Sequence, residues 1–232
     1  MRNQRSLDSS LVTSIRVLRI FFNIAKRSSP RVLSIGDSHA VHFYKYLLDT
    51  IPNNQNVLCW LGPRLMYSVA KRGFCLTRLQ EIALKVWKPQ YCFIWLGEID
   101  VRMHLVKQGY STKADLVWLE NFIIQLEVFW LQLGKPNLIL FSPVPQISDS
   151  IFASEYPAYG SFHNRVEAQN ALILQLQSLA SKVSFPLNFI EITTTLQDTN
   201  GHLLPAYSDD SCHLNFFGFK TIDVLWKNFL IM

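Results

Sequence analysis

Five short apolar runs alternate with helical periodicities along this chain, and that alternation limits the fold more than any other feature of the sequence. The first run is Val32, Leu33 and Ile35, stopped by Gly36. The others cover 56–61, 90–96, 137–142 and 187–192, each closed by glycine, proline or a polar residue. Helical patterns lie between and after them, over 41–48, 76–88, 113–133, 164–183 and 215–229. Lys88-Pro89 and Lys135-Pro136 break the chain just before two of the strands. Strands alternating with helices predict a parallel sheet covered on both faces. The expectation is a single doubly wound α/β domain over 29–232, with a five-stranded, mainly parallel sheet flanked by helices. Residues 1–28 form an extension to it.

At 232 residues the chain can bury one sizeable core, and with 49% hydrophobic and 17% charged residues it is not a disordered type. The net charge of +5 is unevenly placed. Arg2, Arg5, Arg16, Arg19, Lys26 and Arg27 face a single acid, Asp8, in the first 27 residues, which leaves 16 basic and 16 acidic residues in the rest. That balance excludes a basic body for nucleic acid. Residues 9–27 read as an amphipathic helix: Arg16, Arg19, Asn23, Lys26 and Arg27 share one face, and Leu11, Ile15, Leu18, Phe21, Phe22 and Ala25 the other. Two roles fit such a helix, docking on the domain or a protein partner, or lying on an anionic membrane surface. Its charges interrupt any signal-peptide core, and no run of about 18 uncharged apolar residues exists elsewhere. Cys59, Cys75 and Cys92 sit among apolar neighbours and none of the four cysteines has metal-knuckle spacing, so free buried thiols are expected. The expected location is cytoplasmic, at most peripheral to a membrane.

In a doubly wound sheet, ligands bind outside the carboxyl ends of the strands. The residues there are Asp37-Ser38-His39, Gly62-Pro63-Arg64, Gly97-Glu98-Ile99-Asp100, Pro143-Val144-Pro145, and the stretch Ser208 to Asn215 beyond the fifth strand. A serine at a strand-to-helix turn lies beside helix N-terminal N–H groups that can hold an oxyanion. The simpler role for Asp37 and Ser38 is to cap the helix. Asp210 and His213 are three apart, which places both side chains on one side of a turn, where a carboxylate can fix an imidazole. Serine, histidine and carboxylate together are the parts of a nucleophilic triad. His39 and His42 flank the serine but have too few convergent partners for a metal site, and neither a metal nor a cofactor is expected.

These blocks, in this order, resemble the SGNH, or GDSL-like, hydrolase superfamily. Gly36-Asp37-Ser38 resembles the first block, Gly62 the glycine of the second, and Asp210-Ser211-Cys212-His213-Leu214-Asn215 the Asp-x-x-His-Leu-Asn form of the last. The resemblance implies a flavodoxin-like sheet. It also implies Ser38 as nucleophile, His213 as general base and then acid, Asp210 as its orienting partner, and the N–H groups of Ser38 and Gly62 as oxyanion donors. The third block departs from the family: Gly97-Glu98-Ile99-Asp100 stands where the block normally reads Gly-x-Asn, whose asparagine supplies a side-chain donor, and an ionised Glu98 only accepts. Arg64 and Arg102 both follow strand ends, and either could neutralise Glu98 and line the site. Asp100 is the other residue of this block that could face it, whereas His104 reads as structural. Tyr156, Tyr159 and Phe162 form either a sugar-stacking wall or a cover for the core.

The activity implied is a serine-dependent ester hydrolase acting on O-acyl groups, foremost O-acetyl on a carbohydrate, through an acyl-serine intermediate. Its partner would be a small-molecule or glycan ester. An O-acyltransferase on a glycan would need the same residues, and a non-catalytic glycan-binding or scaffold protein would leave them idle.

Overall fold

The computed structural model describes residues 31–50, 55–109, 116–148, 157–209 and 212–229. The amphipathic stretch 9–27, Tyr156 and Asp210 lie outside the described residues. Within them the chain runs β1 (Arg31–Gly36), α1 (Ser38–Thr50), β2 (Gln55–Trp60), α2 (Met66–Arg72), α3 (Arg78–Trp87) and β3 (Tyr91–Trp95). A π-helical turn (Asp100–Leu105) leads to α4 (Trp118–Gln132), β4 (Asn137–Phe141), α5 (Phe162–Ala180) and β5 (Leu187–Ile190). The short helices α6 (Thr193–Leu196), α7 (Phe216–Thr221) and α8 (Asp223–Trp226) finish the chain. The strands form one sheet in the order β2-β1-β3-β4-β5, every pair parallel. The expected doubly wound architecture is therefore present.

Residues on both faces of β1 are buried, as central strands of a parallel sheet require. Leu33 and Ile35 face the layer of α2, α3, α4 and α5. Val32 faces the layer of α1, α7 and α8. The second layer is built on rings: Phe43 of α1 lies 5.1–5.6 Å, centroid to centroid, from Phe93, Trp95, Phe141, Phe219 and Trp226. Burying each such ring stabilises the fold by roughly 1.5–3 kcal/mol, and tilted ring pairs add to that. These contacts fix α1, and with it the serine at its first residue, to the C-terminal helices.

Gly36 ends β1 for a steric reason. Its φ is +149°, and a Cβ there would sit 1.9 Å from the Trp95 carbonyl oxygen. The bare backbone lets Asp37 donate its N–H to that same oxygen at 3.1 Å, while Leu61 donates to the Gly36 carbonyl at 2.8 Å. The ends of β1, β2 and β3 are thus laced together directly beneath Ser38.

Three features differ from the sequence expectation. The helical pattern over 215–229 is broken into α7, α8 and a 3-10 turn, with Ile222 between the first two at φ −91° and ψ 1°. Met66–Arg72 is an additional helix, whose short run of seven residues leaves little periodic signal. Cys75 is exposed, not buried, while Cys59, Cys92 and Cys212 are buried, and all four thiols are free.

Candidate active site

The first strand-end block supplies the serine. Asp37 caps α1, its Oδ1 accepting the His39 backbone N–H at 2.9 Å, which is the simple role the sequence allowed. The cap leaves Ser38 at the first turn of the helix, half-buried, with its hydroxyl turned toward the C-terminal segment. There His213 Nε2 lies 2.7 Å from Ser38 Oγ, across 175 residues of sequence. His213 is itself buried, so the pair is held away from bulk water. Asn215 anchors the segment that carries His213, accepting from Gly218 N–H at 2.9 Å and donating to the carbonyls of Ala206 and Ser208 at 2.9 and 3.0 Å.

Two backbone N–H groups lie at neighbouring strand ends, Ser38 after β1 and Gly62 after β2. Among the described residues, neither the Ser38 nor the Gly62 N–H has an acceptor. Gly62 follows β2 at φ +76°, and nothing lies within 4 Å of where its Cβ would be, so open space surrounds it. Two free N–H groups at neighbouring strand ends are the elements of an oxyanion site.

The third block forms an ion pair. Arg102, in the π-helical turn, donates from Nε to Glu98 Oε1 at 2.7 Å and from Nη2 to Oε2 at 3.4 Å. Its Nη1 donates to the Pro157 carbonyl at 2.8 Å. Both side chains are buried, each 8% exposed, so each charge needs the other. The neighbouring charge of Glu98 holds the Arg102 guanidinium above its usual pKa in spite of the burial. Of the two arginines the sequence offered, Arg102 is the partner; among the described residues Arg64 forms no ion pair with Glu98. The Glu98–Arg102 spacing of four, the reach of one helical turn, was the signal that could have separated them.

Asp100 does not face the site. It is wholly buried and caps α2, accepting Met66 and Tyr67 N–H at 2.6 and 3.1 Å. Burial pushes its carboxyl up to about 7; the two N–H bonds oppose that shift, and the charges of Asp37 and Glu98 add to it. Tyr159 takes a hydrogen bond from Lys107 at 3.2 Å, and the Phe162 ring stacks on His202 with centroids 3.8 Å apart.

Two histidines of α1 surround His213. His42 lies against it face to face, centroids 4.4 Å apart and planes 11° from parallel, with its Nδ1 3.7 Å from Asp209 Oδ2. Burial and the charge of His213 hold His42 below its usual pKa. The His39 ring lies 5.1 Å from His213, centroid to centroid, tilted by 55°. Beyond His42 opens a cleft of about 170 Å³, lined by His42, Lys45, Tyr46, Asp49, Asp209 and Phe216 among others. Among the described residues no group of histidine, cysteine and carboxylate side chains could hold a metal ion, and no helix is long and apolar enough to cross a membrane.

No protein-family model and no curated protein sequence matches the chain. Solved structures do. A GDSL-like lipase from Bacteroides thetaiotaomicron superposes with a TM-score of 0.59 at 16% identity, covering 93% of this chain and 97% of that one. A Bacteroides fragilis protein assigned as an acylhydrolase gives a TM-score of 0.61 at 16% identity, over 90% and 92% of the two chains. A catalytic mutant of an acetylxylan esterase from Geobacillus stearothermophilus gives 0.52 at 15% identity, over 87% and 94%. At these identities the likeness is one of fold, and the fold of this chain is that of the SGNH, or GDSL-like, hydrolases.

Proposed function

We propose that this protein is a serine-dependent carboxylic ester hydrolase that removes O-acyl groups, foremost O-acetyl, from a carbohydrate. The observation that carries the reading is the 2.7 Å contact between His213 Nε2 and Ser38 Oγ. A neutral imidazole at that distance can take the hydroxyl proton as Oγ attacks the ester carbon. The Ser38 and Gly62 N–H groups would hold the negative oxygen of the tetrahedral intermediate. Collapse breaks the carbon–oxygen bond to the alcohol, which leaves with the proton from His213. A water then attacks the acyl-serine as His213 takes its proton, and the carboxylic acid leaves as Ser38 regains a hydrogen. Asp210, three residues before His213, is assigned on the sequence resemblance as the carboxylate that orients the imidazole.

The carbohydrate part of the reading rests on the cleft beyond His42. The exposed ring of Phe216, with Lys45, Asp49 and Asp209 around it, offers an aromatic face rimmed by charged groups. Sugar rings stack on such faces while their hydroxyls pair with the rim. An acetylxylan esterase shares the fold, in keeping with an acetylated sugar as substrate.

The test is turnover of p-nitrophenyl acetate and of an acetylated oligosaccharide by wild type and by Ser38→Ala. Loss of the serine is expected to lower kcat on the order of 10⁶-fold while the unfolding curve stays unchanged. His213→Ala should lose a similar amount. Acetate released by Ser38→Ala at the wild-type rate would sink the reading. Product formed only when a sugar acceptor is added would replace hydrolysis by acyl transfer.

A further inference from the structure

His39 has two hydrogen-bond partners on its ring, and both accept. Nδ1 lies 3.2 Å from Asp37 Oδ1, and Nε2 lies 2.9 Å from the Cys212 carbonyl oxygen. A neutral imidazole carries one N–H. In either tautomer its bare nitrogen would face the lone pairs of a carboxylate or a carbonyl, in a site that is 2% exposed. An imidazolium satisfies both ends.

The two partners belong to the two halves of the candidate site. Asp37 is the residue before Ser38, and Cys212 is the residue before His213. Building on the catalytic pair proposed above, we propose that His39 is a positioning residue: a doubly protonated tie that holds the Ser38 turn and the His213 segment at their working separation. It touches neither substrate nor reacting atoms in this account and acts only through its neighbours. The contact to Cys212 spans 173 residues, so it is a tertiary clamp and no part of the local helix start.

The surrounding charges suit a cation. Asp37 faces His39 from the strand end, and Glu98 adds its negative charge from the third block. Arg102 is engaged by Glu98 through two bonds, which limits its repulsion of His39. His42 on the same helix and His213 across from it are the other titratable rings nearby. Cys212 contributes its carbonyl. Burial alone would lower the His39 pKa. The Asp37 hydrogen bond and charge, then Glu98 and the Cys212 carbonyl, outweigh burial and push it up to about 9. The clamp is therefore closed at neutral pH and opens as pH rises through that value.

Two measurements test this. The first is imidazole NMR of wild-type protein labelled at histidine, which reads protonation without any turnover. Both ring N–H signals of His39 at neutral pH, lost only near pH 9, support the tie; a neutral ring at pH 7 overturns it, whatever the fate of the esterase reading. The second is the pH profile of p-nitrophenyl acetate hydrolysis, with Ser38→Ala as the control on the catalytic reading. Wild type should lose kcat with an alkaline limb near 9 and a nearly constant KM. His39→Gln, which can donate at one end only, should lower kcat roughly 10–100-fold at neutral pH and lack that limb. His39→Lys keeps a cation with several donors and should recover part of the loss, with its limb moved to higher pH. A His39→Gln enzyme with wild-type kcat, or with the same alkaline limb, rules the tie out.

Discussion

Arg102 grips Glu98 edge to edge, Nε on one carboxylate oxygen and Nη2 on the other, just past the end of β3; counted from Gly97, the asparagine position of a Gly-x-Asn block is Ile99 and not Glu98. The pairing gives the buried Glu98 carboxylate its countercharge. Because Arg102 also donates to the Pro157 carbonyl, the same guanidinium fixes the start of the segment leading into α5.

That arrangement has a measurable cost of disruption. Glu98→Ala or Arg102→Ala should each lower unfolding stability by about 3–5 kcal/mol, because each leaves a buried charge unpaired. A double variant, Glu98→Gln with Arg102→Met, should lose less than either single one. Urea denaturation of the three proteins checks this; single variants within about 1 kcal/mol of wild type would show that the pair is not electrostatically coupled.

Asp100 sets a pH dependence of stability. Burial raises its folded pKa to about 7, above the ordinary value of 3.8, so the folded state holds a proton that the unfolded chain gives up. This group's contribution to stability is thus full below pH 3.8, declines as pH rises to about 7, and is constant beyond. Asp100→Asn should remove that slope. It should also cost about 1–3 kcal/mol near neutral pH, since an amide NH₂ would meet one of the two N–H groups that Asp100 accepts. Equal slopes for wild type and variant in urea unfolding between pH 4 and 7 would contradict the assignment.

Two glycines at strand ends should respond differently to one methyl group. Gly36→Ala would place a Cβ 1.9 Å from backbone oxygen, so no properly folded enzyme is expected. Gly62→Ala has free space around it and meets only the cost of positive φ, roughly 1–2 kcal/mol. Circular dichroism melts of the two variants distinguish them. A Gly36→Ala protein that melts like wild type would mean that β1 and β3 can separate at their ends.

The sheet was legible in the sequence because its strands are buried on both faces and read as unbroken apolar runs between helical periods. Ser38 and His213 were legible for a related reason: each follows or precedes a recognisable block at a strand end. Their pairing came only from the family resemblance, since no local pattern encodes a contact across 175 residues. The roles of His39 and His42 were hidden for the same cause. Both stand on α1, and their partners arrive from the C-terminal segment only in the folded chain. The choice of Arg102 over Arg64 was present as a spacing of four, but the π-helical turn that carries Arg102 gives no helical period of its own. The broken helix after Asn215 escaped notice because periodicity passes smoothly over Ile222, where the backbone leaves the helical region.

The distance along the chain between serine and base also has a consequence for biosynthesis. β1, α1 and the strands beside them can pair as soon as they emerge from the ribosome, yet the imidazole that lies against Ser38 follows it by 175 residues and comes after all five strands. A nascent or C-terminally clipped chain can therefore own its complete sheet while its serine has no proton acceptor. Under the proposed mechanism, arrival of this C-terminal segment, which also brings Phe219 and Trp226 onto Phe43, is the event that arms the hydroxyl.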